Sequence, residues 1–190
     1  FKRPEDLSDY VVIDLETTGI DPGTCKIIQL AAVRFVGHVE IDSYAAYVNP
    51  ECTIPSEVSR LTGITDDMVA DAPSIGDLID SFAEFVSAAP YATGWNVSFD
   101  TDFLSAAEGC SRECFSRCFD TMTLYGRVTG KPYSKLSDAC KTIGFSTRFH
   151  DALEDCRACG AVLSWICTGN RMDHALHSKN ERNAALHAYL

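Results

Sequence analysis

The chain has 190 residues, 46% of them hydrophobic, and a formal net charge of −11. That length suits a single domain with a full core, and no apolar run approaches the roughly 20 residues a membrane helix needs. The acidic balance argues against broad, non-specific attraction to duplex DNA, but it leaves nucleic acid open, because acids that bind divalent metal are neutralised locally and basic residues can cluster.

The opening residues Phe1-Lys2-Arg3-Pro4-Glu5-Asp6 are polar, unlike a signal peptide, and a start at Phe rather than Met is expected of a piece trimmed from a longer product. Tyr10 to Ile13 are aromatic or β-branched and predict a central strand. Asp14 breaks the apolar run, and Glu16 follows it at the i+2 position that faces the same side of a strand. Pro22-Gly23 suits a type II turn. Lys26–Val36 predicts a long second strand and Ile41–Val48 a third. Their short links favour antiparallel neighbours.

After Asn49-Pro50 the pattern turns helical. Pro55–Leu61 predicts a short helix stopped near Gly63, and Thr65–Met68 another turn with a weak start. Ser74 and Asp77 form a variant capping box. Behind it Ile75, Leu78, Ile79, Phe82, Phe85 and Val86 keep helical spacing as far as Pro90. Tyr91–Asn96 is short enough for a buried strand, Asp100–Glu108 predicts a helix, and Phe119-Asp120 a fifth short strand. Helices are expected at Thr121–Val128, at Lys135–Ile143 before Gly144, and at Ala152–Cys167. In the last of these Leu153, Cys156, Gly160, Leu163 and Cys167 mark the inner stripe. Residues 1–169 are expected to form one unit, followed by a weakly amphipathic helical tail, 170–190. Strands first and strand–helix alternation afterwards predict an α/β layered domain with a mixed sheet.

Nine cysteines are an odd, high count. Most lie in apolar helical patterns and are expected to be reduced core residues of a cytoplasmic protein. Cys110, Cys114 and Cys118 are four apart, and Cys156 and Cys159 form a C-x-x-C, but the spacings match no structural zinc pattern.

Asp14 and Glu16 alone fit a solvated strand rim as well as a metal site, and burying two like charges side by side requires a counter-charge. Further acids are available from two segments, Asn96-Val97-Ser98-Phe99-Asp100 and His150-Asp151-Ala152-Leu153-Glu154-Asp155, with Asp120-Thr121 ranked below them. Asp151 and Glu154 have the spacing of a capping pair. Asp155 then falls near the first helical turn, where the helix dipole favours an anion. His150 stands just outside the helix, where an imidazole can take a proton from water near neutral pH.

Asp14-x-Glu16-Thr17-Thr18-Gly19, Asn96-x-x-x-Asp100 and His150-x-Ala152-x-x-Asp155 resemble, in order and interval, the three motifs of the DEDDh 3′→5′ exonucleases, and look most like the proofreading exonucleases of bacterial DNA polymerase III. Leu61-Thr62-Gly63-Ile64-Thr65 resembles a connecting segment of that group. The match spans residues 10 to 165. The resemblance implies a ribonuclease H-like fold, a mixed five-stranded sheet flanked by helices. It implies two divalent ions, Mg²⁺ or Mn²⁺, on Asp14, Glu16, Asp100 and Asp155, with His150 as general base. It places Thr17, Thr18, Leu61 and Phe103 against the terminal nucleotide, with Asn96 ordering the loop before Asp100; Asp102 is a competing ligand by position. Single-stranded DNA or RNA 3′ ends are the implied partners, with a polymerase subunit as a further one. An RNA-processing nuclease or a non-catalytic module on the same fold are the alternatives.

The sequence departs from the family at Trp95, where many members carry His. Trp95 suits either the core or a base-stacking position. From Arg127 to Arg148 the chain carries Arg127, Lys131, Lys135, Lys141 and Arg148 against Asp138 alone. This excess suits either a phosphate backbone or solvated helix faces.

Overall fold

The computed structural model describes residues 7–107, 115 and 117–169. Cys110, Cys114 and the expected helical tail 170–190 lie outside them. Strands β1 (Asp9–Thr17), β2 (Ile27–Val36) and β3 (Val39–Tyr47) form the expected antiparallel meander. Two short strands, β4 (Ala92–Gly94) and β5 (Cys118–Asp120), join it in parallel, giving the order β3-β2-β1-β4-β5. The result is a mixed five-stranded sheet flanked by helices.

Val11, Val12 and Ile13 of β1 are all fully buried, which is why the strand reads as a continuous apolar run rather than an alternation: both faces are covered. Strand parity divides the work. Val11, Ile13 and Leu15 pack with Ile79, Phe82 and Val86 of α3 (Ile75–Ser87) and with Phe103 and Leu104 of α4 (Ser98–Ala106). Tyr10 and Val12 point the other way. They join Ala31, Val33 and Phe35 of β2 against Cys156, Cys159 and Leu163 of α7 (Ala152–Thr168).

Two short helices, α1 (Ser56–Thr62) and α2 (Asp66–Val69), precede α3. The first stops at Gly63 in the left-handed conformation, as expected. The second lacks a side-chain cap, in keeping with its weak start signal. The capping box at Ser74 and Asp77 is complete in both directions. Helices α5 (Thr121–Thr129) and α6 (Leu136–Ile143) close the other flank of α7, where Tyr125, Ala139, Cys140 and Ile143 meet Ala158, Val162 and Ile166. The single inner stripe expected for α7 is therefore one of two. Gly160 lies where a Cβ would come within 2.4 Å of the Phe35 ring, so the absent side chain lets α7 rest directly on β2.

Two expectations need correction. Gly23 does not have a positive φ, so the turn is not type II. Asp21 instead accepts Gly23 N–H on its side chain and Cys25 N–H on its carbonyl, which winds the segment into a helical turn. The cysteines are also less uniformly internal than expected. Cys140, Cys156 and Cys159 are buried, whereas Cys52 is exposed and Cys25 and Cys118 are only partly covered. No helix among the described residues is long and apolar enough to cross a membrane.

Candidate active site

Parity puts Asp14 and Glu16 on the α7 side of the sheet, at the end of β1 where the flanking strands give out. Strand β4 stops at Gly94. Here a Cβ would sit 2.8 Å from the Ile13 carbonyl oxygen, so the two backbones touch. Beyond Gly94 the chain turns away, with Asn96 at φ +62° and its N–H on Asp120 Oδ1 at 3.0 Å. That turn starts α4 and delivers Asp100, only 3% exposed, to the strand end, where Oδ1 accepts Leu15 N–H at 3.0 Å. A backbone donor past the end of its pairing strand must find another acceptor, and Asp100 is that acceptor. Asp102 points to solvent and is not a ligand candidate. Asp120 is spent capping α5 through Met122 N–H and Thr123.

The N-terminus of α7 supplies the fourth acid. Asp151 is the N-cap, as expected, and accepts N–H bonds from Leu153 and Glu154. Glu154 does not complete a capping box. It takes the Thr147 hydroxyl and Arg157 Nη1 at 2.7 Å. Arg157 also grips Glu40 of β3 through Nε at 3.0 Å and Nη2 at 2.9 Å. Burial alone would raise the Glu154 carboxyl, but the bonds from Thr147 and Arg157 outweigh it and hold the group below its ordinary range. This chain from Glu40 to Thr147 fixes the segment leading to His150. Arg157→Ala is expected to lower kcat by about 10- to 100-fold and to cost about 1–3 kcal/mol of stability, with Arg157→Lys recovering part of both. Steady-state kinetics and urea midpoints read the two effects separately. Gln29, paired with Glu16 across β1 and β2, anchors the same helix by accepting Ala152 N–H at 3.2 Å. Its signal was a lone amide in the run Ile27-Ile28-Gln29-Leu30.

Asp155 sits one turn into α7. Its Oδ2 accepts His150 N–H at 3.0 Å, and its Oδ1 is buried without a hydrogen-bond partner among the described residues. Ligand atoms of Glu16, His150 and Asp155 all lie within 4.8 Å of one another. His150 itself is exposed, at φ +65°. Burial pushes Asp14 and Asp100 well above the carboxylate range, and neighbouring acids add to the rise. Burial, then the charges of Asp155 and Asp151, lift Glu16 to about 8. Asp155 reaches about 6 through burial despite its bond from His150. Acids gathered with no cation bonded to them among the described residues, and with one oxygen unpartnered there, match the needs of a hard divalent ion, which takes oxygen ligands. Among the described residues no cysteine belongs to any such group.

The remaining candidates divide. Leu61 is 57% exposed at the end of α1. Thr17 and Thr18 are buried beside Glu16, but Thr18 is largely committed: its N–H donates to the Lys26 carbonyl and its hydroxyl oxygen accepts Lys26 N–H. Phe103 is core, 3% exposed and against Phe99. Trp95 packs on Tyr125 and donates Nε1–H to the Ser134 carbonyl at 2.9 Å, so its ring serves packing rather than stacking.

Comparison with known proteins agrees with this arrangement. The chain is 36% identical over 160 residues to a PolC-type DNA polymerase III of Bacillus subtilis (strain 168), matching 81% of this chain and 11% of that protein. The corresponding Staphylococcus aureus protein is 35% identical over 172 residues, covering 85% of this chain and 12% of the relative. The chain thus spans about a ninth of the length of these relatives. Among solved structures, the nuclease domain of 3′hExo, a DEDDh family member bound to rAMP, superposes with a TM-score of 0.75 at 20% identity, over 85% of this chain and 92% of that one. Exonuclease X in complex with 5′ overhanging duplex DNA gives 0.70 at 22% identity, over 91% and 99%. At that identity the likeness is one of fold. The RNase_T family model, described as Exonuclease, matches residues 11–163, and the chain belongs to this exonuclease family.

Proposed function

We propose that the chain is a 3′→5′ exonuclease domain acting on single-stranded or frayed DNA 3′ ends, with residues 1–169 as the catalytic unit, and that it serves proofreading or repair beside a polymerase in the cytoplasm. The observation that carries this reading is the convergence of Asp14, Glu16, Asp100 and Asp155 with a buried carboxylate oxygen left unpartnered. DNA is favoured over RNA because relatives at 36% and 35% identity are DNA polymerases.

The four carboxylates would hold two divalent ions, Mg²⁺ or Mn²⁺, whose charge they balance. Bound there, the ions supply shielding of the phosphate, activation of the attacking water and stabilisation of the leaving 3′ oxygen. His150 takes the water proton. Its backbone is fixed on Asp155 while its exposed ring stays within reach of Glu16 and Asp155. The water oxygen bonds to phosphorus, the P–O3′ bond breaks, and the released nucleotide keeps its 5′-phosphate. Exposed Leu61 wedges against the terminal base, Thr17 and Thr18 flank the sugar, Phe103 supports that wall from the core, and Asn96 sets the turn that aims Asp100.

Digestion of single-stranded DNA, mismatched duplex and RNA, each labelled at the 5′ or 3′ end, tests the reading. The 3′ label is expected to leave as a mononucleotide from the start, only with Mg²⁺ or Mn²⁺ present, and DNA is expected to be degraded faster than RNA. Early release of a 5′-labelled mononucleotide, or cleavage without divalent metal, would overturn it.

A further inference from the structure

The loop between α5 and α6 has no part in the acid site, yet it is unusually built. Tyr133 is 87% exposed and adopts φ +58°. A bulky side chain in the left-handed region is rare and costs free energy that the surroundings must offset. The surroundings do hold it. The Ser134 carbonyl accepts Trp95 Nε1–H at 2.9 Å, and Ser134 Oγ donates to the Lys131 carbonyl at 2.9 Å. Lys131 N–H bonds to Thr129 Oγ1 at 3.3 Å, and Pro132 packs so closely on Gly126 that a Cβ there would lie 3.1 Å from its Cα. The backbone is pinned and the ring projects outward.

The charge around it is one-sided. No acid occurs between Asp120 and Asp138, in a chain of net charge −11. Arg127, Lys131 and Lys135 are exposed, and none makes an ion pair among the described residues, whereas Lys141 is paired with Asp138. The loop is also tied to the strand end that carries the site. Trp95, which anchors it, directly follows β4 and opens the turn that delivers Asp100.

We infer that this loop is a second contact for single-stranded nucleic acid: the Tyr133 ring stacks on an unpaired base upstream of the 3′ end, while Arg127, Lys131 and Lys135 meet the flanking phosphates. The inference rests on the exonuclease reading for the placing of the 3′ end at the acids. An aromatic face set among cations is the chemistry that holds single strands irrespective of sequence, and a rigid loop loses little entropy on binding. It also gives the Trp95 indole N–H a purpose, since it holds the platform to the site.

Tyr133→Asn tests it, because Asn tolerates φ > 0 and removes the ring without adding strain. For a single strand of about 20 nucleotides, KM and the Kd from fluorescence anisotropy are expected to rise about tenfold, with less than about a twofold change for a trinucleotide too short to reach the loop. Tyr133→Phe and Tyr133→Trp should restore tight binding, and the new indole in the latter should be quenched by the strand. Lys131→Ala with Lys135→Ala should flatten the slope of log K against log salt by about 0.7 for each contact removed. Unaltered binding of the long strand by Tyr133→Asn, or equal losses on long and short substrates, would overturn the inference. Should no substrate be cleaved while Tyr133→Asn still weakens strand binding, the exonuclease reading fails and the loop assignment stands.

Discussion

Asp14→Asn is expected to cut metal-dependent nucleotide release by about a thousandfold or more while making the metal-free protein more stable. The two effects have one cause. Asp14 is the acid most beset by others: burial raises it first, followed by Asp100, Asp155, Glu16 and Asp151. An amide of the same shape removes one charge from that group, which relieves repulsion in the empty site and deprives a divalent ion of a ligand. The metal-free melting temperature should rise by about 2–6 °C near pH 8, on the scale of roughly 2–4 °C per kcal/mol for a domain of this size. Circular dichroism melts beside the kinetics check both signs. Wild-type-like turnover would remove Asp14 from the machinery, and a lower melting temperature would mean that the acids are not under mutual strain.

The same electrostatics sets how stability varies with pH. Glu16 moves from an ordinary 4.5 to about 8, and Asp155 from 3.8 to about 6. Both are raised on folding, as are Asp14 and Asp100. Between about pH 4 and 8 the folded chain therefore holds more protons than the unfolded one, and stability falls as pH rises. The contribution is complete below the unfolded values and is lost as pH passes through 6 and then 8. The metal-free melting temperature should thus decline from about pH 5 to about pH 8.5. Saturating Mn²⁺ should offset that decline, because it binds the charged carboxylates, and its stabilisation should be larger at the alkaline end. A metal-free stability that climbs over this range, or a metal effect that is greater in acid, would contradict the electrostatic account.

Much of this was legible in the sequence for definite reasons. The apolar run ending at Asp14, the i+2 spacing to Glu16 and the Asp151 cap are local features, and local geometry fixed them. Asp100 over Asp102 came from motif spacing, and the fold gives the reason: only Asp100 lies where Leu15 N–H lacks a strand partner. What the sequence did not reveal depends on distant contacts. Glu154 looked like half of a capping box, but Arg157 and Thr147 claim it, and Arg157 is held by Glu40 from a strand more than a hundred residues earlier. Thr18 pairs with Lys26 through both its N–H and its hydroxyl oxygen, across a turn whose form the sequence left open. Trp95 was undecided between core and groove because its partner, Ser134, lies 39 residues on. Helix α7 showed one apolar stripe to a periodicity argument because the partners of its second face, Ala158, Val162 and Ile166, are Tyr125, Ala139, Cys140 and Ile143 of two other helices, which the spacing within α7 does not place.

A calorimetric titration of Mn²⁺ into the chain near pH 7, repeated in buffers of different ionisation enthalpy and with Asp155→Asn, tests most directly whether the four carboxylates form one divalent-metal centre. The predicted result is binding of two ions by the wild type with release of protons from the raised carboxyls, Glu16 at about 8 among them, and loss of at least one ion in the variant. Binding that is absent, releases no protons, or is unaltered by Asp155→Asn would contradict it.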